Sequence, residues 1–544
     1  MRKVNRYGGN DNKEGVMESR SMNVFFRIIL KMGIAIICMS CFCAPVYYFT
    51  DSYYLPKFYL FVIGTSFFLI SLFLIEPKEG IVECLSDYLS QIYIIFIIMA
   101  ECECAYIVTK ILIYGRSLIG EFGTFDNPAG LALTLSIAIS MIITLLFKTN
   151  KWRIKFLLYV GSIPVVSILL ITNSRTGLIC LALNVIILFW FLIHRFLNYR
   201  TFCKVFFLLI AAVLFLSVVS YVTSIKSDST IGRRFILEQS FSMIEKHPIV
   251  GYGSNGFQSE YMLQQAKFFR ENPNSIYENN ADEVRYPMNE FVYIWINYGI
   301  GGLLLFVSVF LFPLILFLCK KGIMIQKSLF LLIPVLLFSF FSYPFHYQSS
   351  WLVLLLVYSP IILLISKKIS ISFNSRICSV FLVEILFILY LSVDIYHEYQ
   401  WGMAEKLSFR GYHQEALSKY GSLHGYFHGN RFFLYSYAMA AFMSGDMQTA
   451  HRVISECGQY WNGYARELLS GDICLYMNEY EEASEHFNEA HFMCPVRFAP
   501  LEGLYKVYDL TDNDFKKDSI AKLIATKYVK VESNDVERIK ETCK

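Results

Sequence analysis

Charge is scarce in this chain. Only 17% of its 544 residues are Asp, Glu, Lys or Arg, where a soluble protein carries about a quarter. The 48 basic and 44 acidic residues leave a net charge of +4, with no basic block of the kind that binds nucleic acid. The N-terminal apolar stretch lacks a small-x-small cleavage site and many further apolar runs follow it, so it reads as a first anchor and not as a cleaved leader. Fourteen cysteines are present, but ten lie in or beside apolar runs, among them Cys38, Cys41, Cys43, Cys102 and Cys104. Cysteine acts there as a small apolar residue. The other four, Cys457, Cys474, Cys494 and Cys543, show neither CxxC nor His spacing, so no metal is expected, while a disulfide among them stays open.

Apolar residues fill the space that charge leaves. The chain is 55% hydrophobic and 17% aromatic, with a mean hydropathy of +0.45. Apolar runs recur at 24–43, 56–75, 91–113, 125–147, 155–173, 176–194, 205–223, 290–318, 328–345, 350–366 and 377–396. Most are long enough to cross a hydrocarbon core of about 30 Å at about 1.5 Å per residue. The fold class is therefore all-α, beginning with a polytopic membrane bundle of about eleven spans.

Lys and Arg placement orients the bundle, since positive loops stay cytoplasmic. Lys148, Lys151, Arg153 and Lys155 share one side with Arg195, Arg200 and Lys204, with Lys320, Lys321 and Lys327, and with Lys367, Lys368 and Arg376. The tail 1–23 falls on that side too. The long polar loop 224–289, Asp126, Arg175 and everything after residue 397 are then expected outside.

Beyond residue 397 the spans stop and a period appears. GYHQEAL at Gly411–Leu417, GDMQTAH at Gly445–His451 and NEYEEAS at Asn478–Ser484 place Ala416, Ala450 and Ala483 at intervals of 34 and 33 residues. Paired helices packing at small residues give that spacing, and the pattern resembles the tetratricopeptide repeat. An ordinary helical bundle is the plainer alternative. NDFKKDS at Asn513–Ser519 looks like a degenerate fourth unit. The expected organisation is a tail 1–23, a membrane domain 24–396 bearing the loop 224–289, and a helical-repeat solenoid 397–544. Such a stack is a docking surface for a protein partner or an acceptor.

Four motifs bear on chemistry. FGTFDNPAGLA spans Phe122–Ala132, TNSRTGLI spans Thr172–Ile179, IGRRFILEQSFSMIEKHPIVGYGSNGF spans Ile231–Phe257, and MNEFVYIWINYGIGGLLLF spans Met288–Phe306. In this order they resemble the O-antigen ligase and Wzy polymerase superfamily. SYPFHYQ at Ser342–Gln348 is a looser match. The resemblance implies a metal-independent, inverting GT-C-type membrane glycosyltransferase with no cofactor, in the bacterial cytoplasmic membrane. Its donor would be an undecaprenyl-diphosphate-linked glycan. Its acceptor would be another lipid-linked glycan, a lipid A core or a protein hydroxyl, and these remain unseparated. Protein O-oligosaccharyl transfer is thus one alternative. A lipid-linked glycan transporter is another, although the spans show no internal repeats, and a non-catalytic scaffold is a third.

Residue chemistry supports the same reading. Arginine is the natural diphosphate clamp, because its planar fork makes paired charge-assisted hydrogen bonds. Arg175, at a turn between spans, is the first candidate, against the plainer role of a headgroup anchor. Arg233 and Arg234 open an amphipathic helix, and Arg234 is the favoured cavity-facing member. Arg270 and Arg285 are weaker candidates. Gly251, Gly253 and Gly256 permit a sharp turn and close backbone approach, either near a headgroup or in purely structural loop closure. In the family a His precedes the Asn of the loop-exit motif and activates the acceptor hydroxyl. Met288 stands at that position here and cannot take a proton, while Asn289 and Glu290 remain. Glu290, His346 and His247 are the replacement candidates. Glu101 and Glu103 lie in the third span, with Lys110 and basic residues on adjacent spans expected as partners and a proton relay as the alternative.

Overall fold

The structure is a computed structural model that describes residues 11–74, 81–114, 122–196, 227–320, 329–366 and 373–543. The expected span 205–223 lies outside these residues, as do Arg200, Lys204, Lys321, Lys327, Lys367 and Lys368. Among the described residues the fold is entirely helical, and the other ten apolar runs coincide with helices. Of the helices among the described residues, six are long and apolar enough to cross a membrane, and Arg175–Phe189, Leu332–Phe341 and Gln348–Ile362 are shorter apolar helices. The chain divides into two compact units. One comprises Met1–Ser220, Phe310–Phe338 and Pro344–Ile395; the other comprises Tyr221–Val309, Ser339–Tyr343 and Tyr396–Lys544.

The first unit is the apolar bundle. It contains α1 (Asp11–Phe42), α2 (Tyr54–Leu74), α3 (Ile81–Tyr114), α4 (Pro128–Lys148), α5 (Trp152–Ile171) and α6 (Arg175–Phe196). Helix α4 is its centre, with 94% of its span buried inside the protein against 22% for α5. The DNPAG sequence explains how α4 begins. Asn127 Oδ1 accepts the amides of Ala129 and Gly130 at 2.9 and 3.1 Å, and Pro128 occupies the first turn, where no N–H is missed. Gly130 is required because a Cβ there would lie 2.4 Å from the Tyr347 ring.

The second unit joins the polar loop to the tail. The loop contributes α7 (Ser227–Lys246) and α8 (Gly256–Glu271), and α9 (Glu290–Lys320) follows it. Helices α10 (Leu332–Phe341), α11 (Gln348–Ser366) and α12 (Phe373–Phe409), which belong mostly to the first unit, precede the tail in sequence. Beyond them come α13 (His413–Phe427), α14 (Arg431–Ser444), α15 (Met447–Cys457), α16 (Tyr464–Tyr476), α17 (Tyr480–Met493), α18 (Ala499–Leu510), α19 (Asp514–Thr526) and α20 (Asn534–Thr542). Each tail helix packs on the next in sequence. A left-handed residue stands two positions before α13, α15, α17 and α19, namely Gly411, Gly445, Asn478 and Asp512, at intervals of 34, 33 and 34 residues. Ala416, Ala450 and Ala483 are each the fourth residue of their helix and fully buried. In the fourth unit that position is Lys517, which pairs with Asp509 at 2.5 Å. A charged side chain cannot pack as the alanines do, so the stack loses its small-residue contact there. The four tail cysteines are buried free thiols.

Loop and tail share one core. Met243, Ile244, Phe257, Tyr261, Met262, Ala266, Val292 and Ile296 cluster with Tyr464, Ala490, Met493 and Cys494. Polar contacts reinforce it: Gln265 Nε2 donates to the Met493 carbonyl at 2.6 Å, Arg497 pairs with Asp282 at 2.6 Å, and Arg270 pairs with Glu489. Arg270 and Arg285 are thereby turned to the tail, over the rings of Phe492 and Phe432. A cavity of about 320 Å³ opens between the loop and the tail, lined by Phe269, Asn274, Glu278, His491, Lys527 and Tyr528 among others.

Candidate functional site

In the second unit the candidates gather around a broken helix. Gly299, inside α9, has φ +65° and ψ −167°, which no α-helix accommodates. The break strips α9 of internal hydrogen bonds, and the glycine loop supplies replacements. The amides of Tyr252 and Gly253 donate to the carbonyls of Ile296 and Asn297 at 2.8 and 2.9 Å, and the Ile300 amide donates to the Pro248 carbonyl at 3.0 Å. Asn297 Oδ1 accepts the Phe257 amide at 2.9 Å. A Cβ on Gly251 would lie 2.6 Å from the Ile296 carbonyl, and one on Gly299 only 1.9 Å from that of Ile249. The close approach expected of Gly251 is thus to the backbone of α9. Gly253 supplies the left-handed turn with open space around it, and Gly256 starts α8 against Tyr252. His247 is exposed, edge-on to the Tyr252 ring.

The loop exit clamps the end of α10. Asn289 caps α9, its Oδ1 accepting the Val292 amide at 3.0 Å, while its Nδ2 donates to the Phe340 carbonyl at 3.1 Å. Arg233 donates to the adjacent Phe341 carbonyl at 3.2 Å, and Tyr286 stacks on Tyr343 at 4.7 Å. Arg233 and Asn289 therefore meet on consecutive carbonyls of one helix end, the partially negative terminus that favours a cation. Arg234 points the other way. Its side chain is 74% exposed and pairs with Glu238 at 2.7 Å. Of the two arginines, then, Arg233 is the one beside the loop exit. Glu290 opens α9 and is buried, and its Oε2 has no hydrogen-bond partner among the described residues. Met288 takes a left-handed conformation, φ +56°.

The first unit holds the remaining candidates. Asn173, with φ +50°, turns the chain, and the Ser174 hydroxyl accepts the Gly177 amide at 3.3 Å, capping α6. Arg175 is its first helical residue and is half-buried. Gly177 lets α6 approach Ala132 of α4. His346 ends a short 3-10 turn, Pro344–His346, with its ring stacked on Tyr54 at 4.7 Å. Burial lowers the His346 pKa from its ordinary value, with Asp126 and Asp51 opposing and Lys57 assisting. Its neighbour Tyr347 takes a hydrogen bond from Asn127 and donates to Asp126 Oδ1 at 3.3 Å. The unit thus brings His346 together with Asp51, Tyr54 and Asp126, while Arg175 stands at its own turn.

Of the two carboxylates in the third span, Glu103 is tied to the turn before α4. Glu103 accepts the Thr124 amide at 2.7 Å, and Lys57 donates to the carbonyl of the same residue at 2.8 Å. Gly123 makes room for this, with φ +64° and Glu103 where a Cβ would sit. Glu101 lies against Gly161 of α5, and Lys110 lies near the Tyr106 ring. Lys57, on the adjacent span α2, and Lys110 both act on the Glu103 charge.

A family model described as O-Antigen ligase, Wzy_C, matches residues 160–307. Three of the four motifs fall in that segment, and FGTFDNPAGLA precedes it. The match bears out the resemblance to the O-antigen ligase and Wzy superfamily and supports a membrane glycan ligase or polymerase in general terms. None of the curated proteins matches the chain.

Proposed function

We propose that this protein transfers a glycan from undecaprenyl diphosphate to an acceptor hydroxyl on the outer face of the bacterial cytoplasmic membrane. The observation that carries the reading is the family match over 160–307, the stretch that holds the Arg175 turn, the polar loop and the break in α9. In the step proposed, the acceptor oxygen attacks the anomeric carbon, the bond from that carbon to the diphosphate breaks, and the hydroxyl proton passes to a base. Inversion follows from a single displacement.

Arg175 is the proposed diphosphate ligand of the bundle. A cation in the first turn works against the helix macrodipole by about 0.3–1 kcal/mol, so the dipole gives α6 no reason to begin with an arginine. Its guanidinium and the first amides of the helix favour an anion together. Arg233 ranks ahead of Arg234 as a second charge, since Arg234 is held by Glu238. Both polar ends of the Asn289 amide are engaged by backbone groups, which makes it a positioning residue for the loop exit. Glu290 and His346 are the two proposed proton acceptors in place of the histidine that Met288 replaces. The repeats are proposed to hold the loop and to contact an acceptor or a protein partner.

The test is the glycan profile of a deletion strain complemented with variants. Single-unit caps identify a polymerase, accumulated carrier-linked polymer a ligase, and unglycosylated proteins a protein transferase. Unchanged glycans in the deletion strain would sink the reading. Arg175→Lys keeps charge but loses the fork. It should cost on the order of 100-fold in rate while the protein still inserts. Full transfer by Arg175→Ala, Arg233→Ala and Arg234→Ala alike would exclude the arginine clamp.

A further inference from the structure

We propose that His451, Cys474, Glu479 and Glu482 form a zinc site that ties three successive tail helices together. One donor atom from each lies within 4.8 Å of all the others. They come from four places in the chain: His451 from α15, Cys474 from α16, Glu479 from the N-cap of α17 and Glu482 from its first turn. No linear motif announces the set, because spacing within the sequence does not record which helices stack.

Ordinary roles explain some of these residues singly. A buried cysteine packs as a small apolar side chain, and glutamates in a first turn complement the helix macrodipole. They do not explain Glu479. At the equivalent positions of the neighbouring units, Asp446 and Asn513 cap their own helices by accepting the amides of Thr449 and Lys516. Glu479 makes no such cap. Its Oε2 is buried and has no hydrogen-bond partner among the described residues, and a buried acceptor left unmatched is destabilising. Around it stand a second carboxylate and a thiol. Two carboxylates and a thiol whose donor atoms all lie within 4.8 Å of one another favour a cation between them.

The donor set selects the cation. One sulfur, one imidazole nitrogen and two carboxylate oxygens suit a borderline ion, whereas magnesium and calcium take oxygen alone. Four protein donors close a tetrahedral zinc shell, which marks a structural site with no open position. On binding, the Cys474 thiol releases its proton to solvent and the thiolate takes the metal, so affinity falls as pH falls. The site is independent of the glycan reading.

The test uses the full-length, tag-free protein in detergent, stripped with chelator and then titrated with zinc. Elemental analysis after desalting should find one zinc per chain and thermal unfolding should move upward with added zinc. Cobalt in place of zinc should give tetrahedral d–d absorption and a thiolate charge-transfer band. His451→Ala and Glu482→Gln alter the less buried donors and should leave the fold intact while weakening binding at least tenfold; Cys474→Ser should abolish the charge-transfer band. Zinc absent from the intact protein, or retained equally by His451→Ala and Glu482→Gln, would overturn the proposal.

Discussion

Three residues near the glycine loop show how far backbone conformation decides tolerance. Gly299 combines a positive φ with a carbonyl 1.9 Å from where a Cβ would sit, whereas Gly253 has φ +96° and nothing within 4 Å. Gly253→Ala should therefore cost about 1–2 kcal/mol, the left-handed penalty alone. Gly299→Ala should cost more and undock the loop from α9, read as lower thermal stability and faster proteolysis within 247–257. Equal effects of the two would refute the docking role of Gly299. Met288 is also left-handed, a region in which His and Asn are enriched and β-branched residues are outliers. Met288→His should fold normally and transfer at least as well as the parent, while Met288→Val should lower stability. The sequence made the turn-forming role of Gly251 and Gly253 legible. It hid their partner, because the break in α9 falls inside an apolar run that reads as one uninterrupted helix.

At the scale of elements, the junction of loop and tail carries the second set of outcomes. Tyr261 and Met493 are fully buried in the shared core, so Met493→Ala should cost about 2–5 kcal/mol. Arg497 is 39% exposed where it pairs with Asp282, and Arg497→Ala should cost about 1 kcal/mol or less. Acidification should loosen the same junction. Burial, with Lys527 assisting, lowers the His491 pKa to about 4, and its Nδ1 is buried without a hydrogen-bond partner among the described residues. The unfolded chain binds this proton more readily, so the stability His491 allows is complete above about pH 6.5 and declines toward pH 4. The loss is on the order of 3 kcal/mol. A His491→Gln variant should flatten that slope in thermal unfolding followed across pH. The helical period of the tail was legible from Ala416, Ala450 and Ala483. Its attachment was not, since Tyr464, Ala490 and Met493 are apolar or aromatic positions that serve a repeat core equally well.

At the scale of the whole molecule, packing constrains topology. Loop and tail lie in one compact unit, so they share a side of the membrane. Of the four apolar helices between them, α9 and α12 are long and apolar enough to cross a membrane and α10 and α11 are shorter; either two or four crossings would return the chain to the side it left. Reporter fusions after Lys321 and Lys368 should read cytoplasm, and fusions near Lys267 and after Gly411 should read outside. Opposite readings for the last two would contradict the shared core. Apolar run length made the bundle legible, since it needs only hydropathy. The central place of α4 was less so: hydropathy alone does not separate a span buried in protein from one facing lipid, and α4 and α5 have nearly equal values of 2.3 and 2.2. A chain ending near Tyr396 removes Tyr464, Ala490, Met493 and Cys494 from the shared core. It should lose transfer and expose the loop to protease; normal transfer by that truncation would show that the loop keeps its shape alone.

The shared core also sets a schedule for synthesis. Its first residues, Met243 to Ile296, are made long before its last, Tyr464 to Cys494. About 170 residues separate Ile296 from Tyr464, which at ~5–20 residues per second is on the order of ten seconds or more. Throughout that interval the parts of α7 and α8 that α16 and α17 later cover have only each other and α9 to pack against. A nascent chain stalled inside α12 would present them to whatever surrounds it, and a holding chaperone or the membrane surface must occupy them until α17 emerges.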